Sequence, residues 1–274
     1  MRADLNNRPS PMPKIIDIDL QQGKKLYFAS DFHLGAPDLA VSHTREKHIV
    51  RWLDYIKTDA QVVFLVGDLF DFWHEYRTVV PRGYVRLLGK LAELNDSGIE
   101  IIVFTGNHDM WMSDYFETEL GVTVIREPVQ LVIIQDTKLR TIYLAHGDGL
   151  GSGDLSFKIL KKIFQNKFIR WAFRALLHPD FALSLGYWWA GHSWRKHERE
   201  GVPPFFGEDR ERLVQYAKEI EEQNHHDFYI FGHRHILLNH GIDTNSKVVI
   251  LGDWIKHNSY AVFDGNELKL TTFG

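Results

Sequence analysis

Residues 61–71 read QVVFLVGDLFD, and this stretch decides the fold. The run Val62 to Val66 is apolar without a break, so it presents no polar face. That pattern suits a strand buried on both sides rather than one lying on a wet surface. The run stops at Gly67-Asp68, with Asp71 close behind. The same design recurs on either side of it. KLYFAS (25–30) runs into Asp31-Phe32-His33, and EIIVFT (100–105) into Gly106-Asn107-His108-Asp109. TIYLA (141–145) runs into His146-Gly147-Asp148, and DFYIF (227–231) into Gly232-His233-Arg234-His235. KVVIL (247–251) is a further run of the same kind.

Helical segments separate the first three runs. Thr44 to Lys57 places Ile49, Val50, Leu53 and Ile56 at helical spacing, and Val85 to Leu94 repeats the pattern before Asn95 and Gly98 stop it. Strand–helix–strand alternation predicts an α/β fold with a βαβ core and right-handed crossovers. The closing segment AVFDGNELKLTTF predicts a hairpin turning at Asp264 to Asn266. Residues 152–206 interrupt the alternation with a helical, aromatic and basic stretch, read as an insertion and a candidate lid. The domain therefore spans 15–274, preceded by a disordered tail over 1–14.

Bulk properties set outer limits. The 274 residues are 44% hydrophobic and 25% charged, an ordinary globular balance. A net charge of −4 argues against a general nucleic-acid binder, which needs excess Lys and Arg to displace counterions. No cysteine is present, which fits a reducing cytoplasm. The opening MRADLNNRPSPMPK has no apolar core of a signal peptide, and the longest apolar stretch, Phe181 to Ala190, is too short to span a bilayer. These features predict a soluble or peripheral protein.

The residue types at the strand ends are those that bind metals. In Asp-x-His the i, i+2 spacing puts both side chains on one side of an extended segment. Asp68 has two oxygens and can bridge two cations. Asn107 offers a neutral carbonyl oxygen, and His146, His233 and His235 offer imidazole nitrogens. Two divalent cations set against Asp31, Asp68 and a hydroxide leave a positive remainder that would attract a phosphate anion. Cations roughly 3.5–4 Å apart can clamp both oxygens of an in-line displacement and lower the pKa of a bound water toward about 7. Each short motif alone also occurs in ordinary loops; five in order, each after a strand, are not explained by loop chemistry.

These five motifs resemble those of the calcineurin-like metallophosphoesterase superfamily over residues 25–255. The resemblance implies a four-layer α-β-β-α sandwich with two divalent metal ions. It implies that Asp31, His33, Asp68 and His235 hold one ion, and that Asp68, Asn107, His146 and His233 hold the other. It gives His108 the role of polarising the phosphate or protonating the leaving group, with Asp109 as its orienting partner. The alternative for His108 is a loop histidine that merely spaces Asn107. Asp71 and Asp148 are read as orienting the ligands. The eight histidines His43, His48, His74, His178, His225, His226, His240 and His257 are read as surface or hydrogen-bonded structural residues. His192 and His197 stay open. The mixed Asp, Asn and His ligands suit Mn²⁺, with Fe, Co or Zn as competitors.

The insertion bears on substrate. From Leu155 to Pro179 the only charged residues are Lys158, Lys161, Lys162, Lys167, Arg170 and Arg174. Opposite them runs an apolar stripe from Leu155 through Ile159, Phe168 and Trp171 to Leu176. A one-signed amphipathic helix suits an anionic membrane or an amphiphilic anionic substrate. Its alternative is a helix packed on the core with a solvated basic face. The stretch FALSLGYWWAGHSWRKH (181–197) follows. With HGDGLGSGD (146–154) and VILGDW (249–254), this arrangement is similar to UDP-2,3-diacylglucosamine hydrolases of lipid A synthesis. That resemblance implies release of UMP and a lipid 1-phosphate, on the cytoplasmic side of the membrane. It also implies substrate contacts at Asp154, Phe157, Arg195 and Lys196. The best-known branch of those enzymes carries Gly-Asn-Arg-Asp, where this chain has His108. Two alternatives stand beside it: a phosphoesterase for nucleotides, cyclic nucleotides or phosphoproteins, and a metal-free binding scaffold on the same fold.

Overall fold

The computed structural model describes residues 13–151, 162–164, 166–201 and 203–274. The apolar runs form the centre of two six-stranded sheets. One sheet contains β2 (Lys25–Ala29), β3 (Ala60–Val66), β4 (Glu100–Phe104) and β5 (Thr123–Ile125), all parallel. The hairpin β11 (Ser259–Phe263) and β12 (Leu268–Thr272) extends it antiparallel beside β2. The other sheet has β1 (Lys14–Asp19), β6 (Val129–Gln135), β7 (Lys138–Ala145), β8 (Phe228–Phe231), β9 (Leu237–Gly241) and β10 (Lys247–Leu251), in the order β1-β6-β7-β8-β10-β9. Lys14 pairs with Val129 as the first residue of β1, so the sheet begins inside the stretch assigned to the tail.

Strand alternation explains the layers. In β2, Leu26 and Phe28 point between the sheets, while Tyr27 and Ala29 point outward. In β3, Val62, Phe64 and Val66 face inward, and Val63 and Leu65 outward. Outside this sheet lie α1 (Leu39–Ile56), α2 (Val85–Asp96) and α3 (Tyr115–Leu120), which bury Ile49, Trp52, Leu53, Leu87 and Leu91. Outside the other sheet, α6 (Arg212–Glu221) packs Leu213, Val214 and Ala217 on Tyr143, Tyr229 and Phe231. The result is the expected α-β-β-α sandwich. Each fully buried Leu, Val or Phe contributes about 1.5–3 kcal/mol, so three apolar layers hold the strand ends in place.

Helix α1 starts earlier than the periodicity suggested because Asp38 caps it, accepting from Ala40 N and Val41 N at 2.9 Å each. The stretch between β7 and β8 contains α4 (Lys167–Leu176) and α5 (Pro179–Glu200) before α6. The stripe read as continuous from Leu155 to Leu176 is interrupted within the described residues. Asn166 is an N-cap whose Oδ1 accepts from Phe168 N and Ile169 N, so a new helix begins there. Among the described residues, no helix is long and apolar enough to cross a membrane.

Candidate metal centre

All seven ligand candidates lie in loops at the carboxyl ends of β2, β3, β4, β7 and β8, where the two sheets converge. Backbone bonds stitch these loops together: Asp31 N to Gly67 O at 3.1 Å, His33 N to Asp68 O at 3.0 Å, and Gly232 N to His146 O at 2.9 Å. Five of the seven candidates, Asp31, His33, Asp68, His233 and His235, have φ between 43° and 65°. L-residues avoid this left-handed region, and such strain persists where surrounding structure imposes it, commonly at functional sites. The glycines permit the crowding. A Cβ at Gly106 would lie 2.7 Å from both the Cγ and the N of Asp68, and one at Gly232 would lie 2.6 Å from Asp31 Oδ2. Only glycine fits at these two places.

Candidate ligand atoms gather in overlapping groups: Asp31, His33 and His235; His33, Asp68 and His108; and Asp68, His146 and His233. Asp68 Oδ2 stands between the groups, 3.7 Å from His33 Nε2 and 3.3 Å from His146 Nε2. The other atoms of these side chains are held. His146 Nδ1 donates to Val66 O at 2.7 Å, which leaves Nε2 a lone pair directed at the cluster. Asp31 Oδ2 accepts from Ser30 Oγ and from His233 N, the latter at 2.9 Å, while Asp31 Oδ1 is buried without a hydrogen bond. Asn107 Oδ1 and His146 Nε2 are likewise buried without one. His33 Nε2 and His235 Nε2 face each other at 3.2 Å, close enough for one ring to donate to the other. Buried polar atoms that lack a hydrogen bond, set among carboxylates and imidazoles whose ligand atoms lie within 4.8 Å of one another in each group, are what a cation satisfies. The donor set therefore fits divalent ions.

The electrostatics make the same demand for positive charge. Burial opposes the charged form of Asp31, yet His235 and His33 beside it hold the carboxyl well below the usual range. Burial opposes a charge on His146 too, and Asp68 overrides it, raising the imidazole to about 10. His33 is raised to about 10 against burial by Asp31 and Asp71. His233 goes the other way: burial, helped by His146, drives it down to about 3 and keeps its ring neutral. The buried carboxylates thus favour positive charge beside them at His33 and His146, a demand that a cation would meet.

The supporting contacts correct one expectation and add residues the sequence did not reveal. His108 Nδ1 donates to the backbone carbonyl of Asp71 at 2.8 Å. Asp109 does not orient it. The two Asp109 oxygens accept from Gly106 N and Leu69 N, both at 2.7 Å, tying the β3 and β4 loops together. Burial and the neighbouring Asp68 push Asp109 up to about 7, while those two amides pull it back. Asp71 Oδ1 lies 3.5 Å from His33 Nδ1. Asp253 stands likewise to His235, with Oδ2 3.5 Å from Nδ1. The only signal for Asp253 was its Gly-Asp setting in VILGDW. Arg45, buried on α1, donates from Nη1 to Phe32 O, His33 O and Ala36 O and so fixes the His33 loop. Arg234 is spent on Glu211, Nη2 to Oε2 at 2.9 Å. Outside the cluster, His48, His225, His226 and His240 are hydrogen-bonded structural residues. Asp154 and Phe157 lie outside the described residues, as do the side chains of Arg195 and Lys196 on α5.

Changing Asp253 to Asn removes the charge that orients His235. Such supporting groups affect metal affinity by about 10–100-fold. Metal titration followed by dialysis and elemental analysis should show that loss; an unchanged affinity would remove Asp253 from the site.

Residues 24–237 match the model of the calcineurin-like phosphoesterases. The chain belongs to that family. It is therefore a phosphorus-bond hydrolase of a family that works with divalent metal ions. It is also similar to individual members. A UDP-2,3-diacylglucosamine hydrolase of Porphyromonas gingivalis is 40% identical over 257 residues, covering 90% of this chain and 96% of the relative. The enzyme of that name from Photobacterium profundum is 27% identical, covering 89% and 95%. The one from Aeromonas salmonicida is 25% identical, covering 89% and 91%.

Proposed function

We propose that this phosphoesterase hydrolyses the pyrophosphate of UDP-2,3-diacylglucosamine, releasing UMP and the lipid 1-phosphate. The observation that carries this reading is the 40% identity that runs through 96% of the Porphyromonas relative. In this reading Asp31, His33, Asp68 and His235 hold one divalent ion, and Asp68, Asn107, His146 and His233 the other. Mn²⁺ is the proposed occupant, since oxygen and imidazole donors are mixed. When bound, the ions polarise phosphoryl oxygens and lower the pKa of the attacking water. The chain's own residues do the rest. Val66 O and Asp253 fix the imidazoles, and Asp71 O fixes His108. His108 Nε2, the ring nitrogen not bonded to Asp71, faces the developing charge on the phosphate or the leaving oxygen.

We assign residues 152–206 as a lid inserted in a domain spanning 15–274, with Asp154, Phe157, Arg195 and Lys196 as candidate head-group contacts. The described part of the lid supports an amphiphilic substrate and peripheral contact with an anionic membrane on its cytoplasmic side. Phe168, Phe181 and Trp188 are exposed, and Trp171 and Leu176 remain 61% and 78% exposed. These exposed apolar side chains support an interaction surface on the helices beside the face that packs on the core through Phe173. Apolar side chains left outside that packing favour an amphiphilic substrate over a purely polar one.

Parallel assays with a diacylated and a deacylated UDP-sugar test the assignment. Equal kcat/KM on both would overturn the lipid reading and leave a general phosphoesterase. A second check is Trp171→Asp with Leu176→Asp. Losing about 1.5–3 kcal/mol of apolar burial should raise KM for the diacylated substrate roughly tenfold or more. The rate on bis(p-nitrophenyl) phosphate, which has no acyl chains, should hold. An unchanged KM would exclude these side chains from acyl recognition.

A further inference from the structure

We propose that Phe72 is a positioning residue that couples α5 of the lid to His108. The inference rests on the role given to His108 above. The carbonyl that holds His108 belongs to the peptide group joining Asp71 to Phe72. Turning the Phe72 backbone therefore turns this carbonyl, the nearer of the two Asp71 oxygens at His108 Nδ1, the carboxylate Oδ1 standing 3.5 Å away. On its other side, Asp71 is fixed, with its N donating to Leu34 O at 2.9 Å. Phe72 is the other end of this arrangement, and its ring lies between the core, where it meets Trp111 edge-on with centroids 6.4 Å apart, and α5 of the lid. Its ring rests on Gly186 of α5 so closely that a methyl group there would overlap it. Tyr187, also on α5, meets the same ring edge-on with centroids 6.0 Å apart.

The lid is anchored to the core at points flanking Phe72. Tyr76 Oη donates to Leu177 O at 3.2 Å, and Trp111 Nε1 donates to Phe164 O at 3.0 Å. Phe173 of α4 packs edge-on to His74 and Trp111, at 4.9 and 4.7 Å. Three of these core residues, Phe72, His74 and Tyr76, lie on the loop that follows Asp71. A shift of α5 therefore reaches the Asp71 carbonyl through one ring and one peptide bond. The lid does more than hold acyl chains: its seating on Phe72 selects the ring orientation and tautomer of His108.

Gly186→Ala and Phe72→Leu test this without altering a candidate ligand or His108. Both proteins are assayed with Mn²⁺ and bis(p-nitrophenyl) phosphate, alone and combined with His108→Ala. Misplacement of a catalytic group by about 1 Å can cost about a hundredfold, so a tenfold to hundredfold fall in kcat is expected, with KM within about twofold. In the His108→Ala background neither change should lower kcat further. A second readout needs no turnover. Histidine ¹⁵N spectra of the metal-free protein should show His108 as the Nδ1–H tautomer, and Gly186→Ala should mix in the other. A wild-type tautomer in both variants overturns the coupling, as does a full additional loss in the His108→Ala background. If His108→Ala alone leaves kcat intact, the role of His108 fails instead. Leu at position 72 leaves space rather than overlap, so it keeps the test decisive should Gly186→Ala unseat α5.

Discussion

Asp68→Ala is expected to abolish hydrolysis and strip the protein of bound metal together. Asp68 is buried in the left-handed region, 1% exposed with φ 53°, at the point where the groups of candidate ligands overlap. Its Oδ1 accepts from His108 N at 2.9 Å, so only Oδ2 faces both His33 and His146. Deleting the carboxylate removes the negative charge common to both proposed ion sites. A metal centre supplies several kcal/mol to the transition state, so kcat/KM should fall by at least about 10³-fold. Asp68→Asn is the matching control. It preserves the acceptor for His108 N and the volume but lacks the charge, and should lose nearly as much. Elemental analysis of purified proteins checks the binding half of the expectation. Near-normal metal content with lost activity would mean that Asp68 acts on substrate rather than on the ions. Retained activity would mean that hydrolysis does not depend on this carboxylate and would remove Asp68 from the centre.

His108→Ala should behave differently. Its Nδ1 is engaged by Asp71 O, which leaves a single ring nitrogen for chemistry. Removing a general acid or charge-stabilising imidazole typically costs about 10²–10⁴-fold in rate. Metal content should remain near wild type, because neither proposed ion depends on this ring. This is a sharp expectation, since His108 lies close enough to His33 and Asp68 to have been a ligand itself. Loss of one ion in His108→Ala would reassign it to metal binding. His108→Arg is informative alongside it. A guanidinium can stabilise charge but donates a proton poorly. Activity retained by Arg would mean that the residue stabilises charge; activity lost would point to proton transfer.

The parts of this architecture legible in the sequence are those where a single physical cause dominates. The runs at 25–30, 61–66 and 100–105 read as strands because both faces are buried, and their terminal Asp, Asn and His residues followed from strand-end chemistry. β6 was missed although it alternates cleanly, with Val129, Leu131 and Ile133 buried. Gln130 and the preceding Pro128 masked the period. Asn166 sat in an apparently unbroken amphipathic stripe, and only its backbone conformation shows it to be a cap. Arg45 has nothing in its sequence surroundings to set it apart from other helix cations. Its burial against three loop carbonyls is a tertiary fact with no local signature. The family resemblance pairs Asp109 with His108, but the amides of Gly106 and Leu69 take its oxygens, a tertiary arrangement that the motif does not display. Asp253 failed to stand out because a lone Gly-Asp is usually a turn.

The left-handed backbone at five candidate ligands has a consequence for how such a protein can drift. Each non-glycine residue held there costs about 1–3 kcal/mol, tolerated because the sandwich beneath is stable enough. A change from one of these residues to glycine would relieve that strain locally. Selection for folding robustness alone therefore pushes against the ligands themselves, not against some neutral surface. Only continued demand for the reaction keeps Asp31, His33, Asp68, His233 and His235 from being smoothed away, and scaffolds of this kind freed from that demand should lose their metal chemistry before they lose their shape.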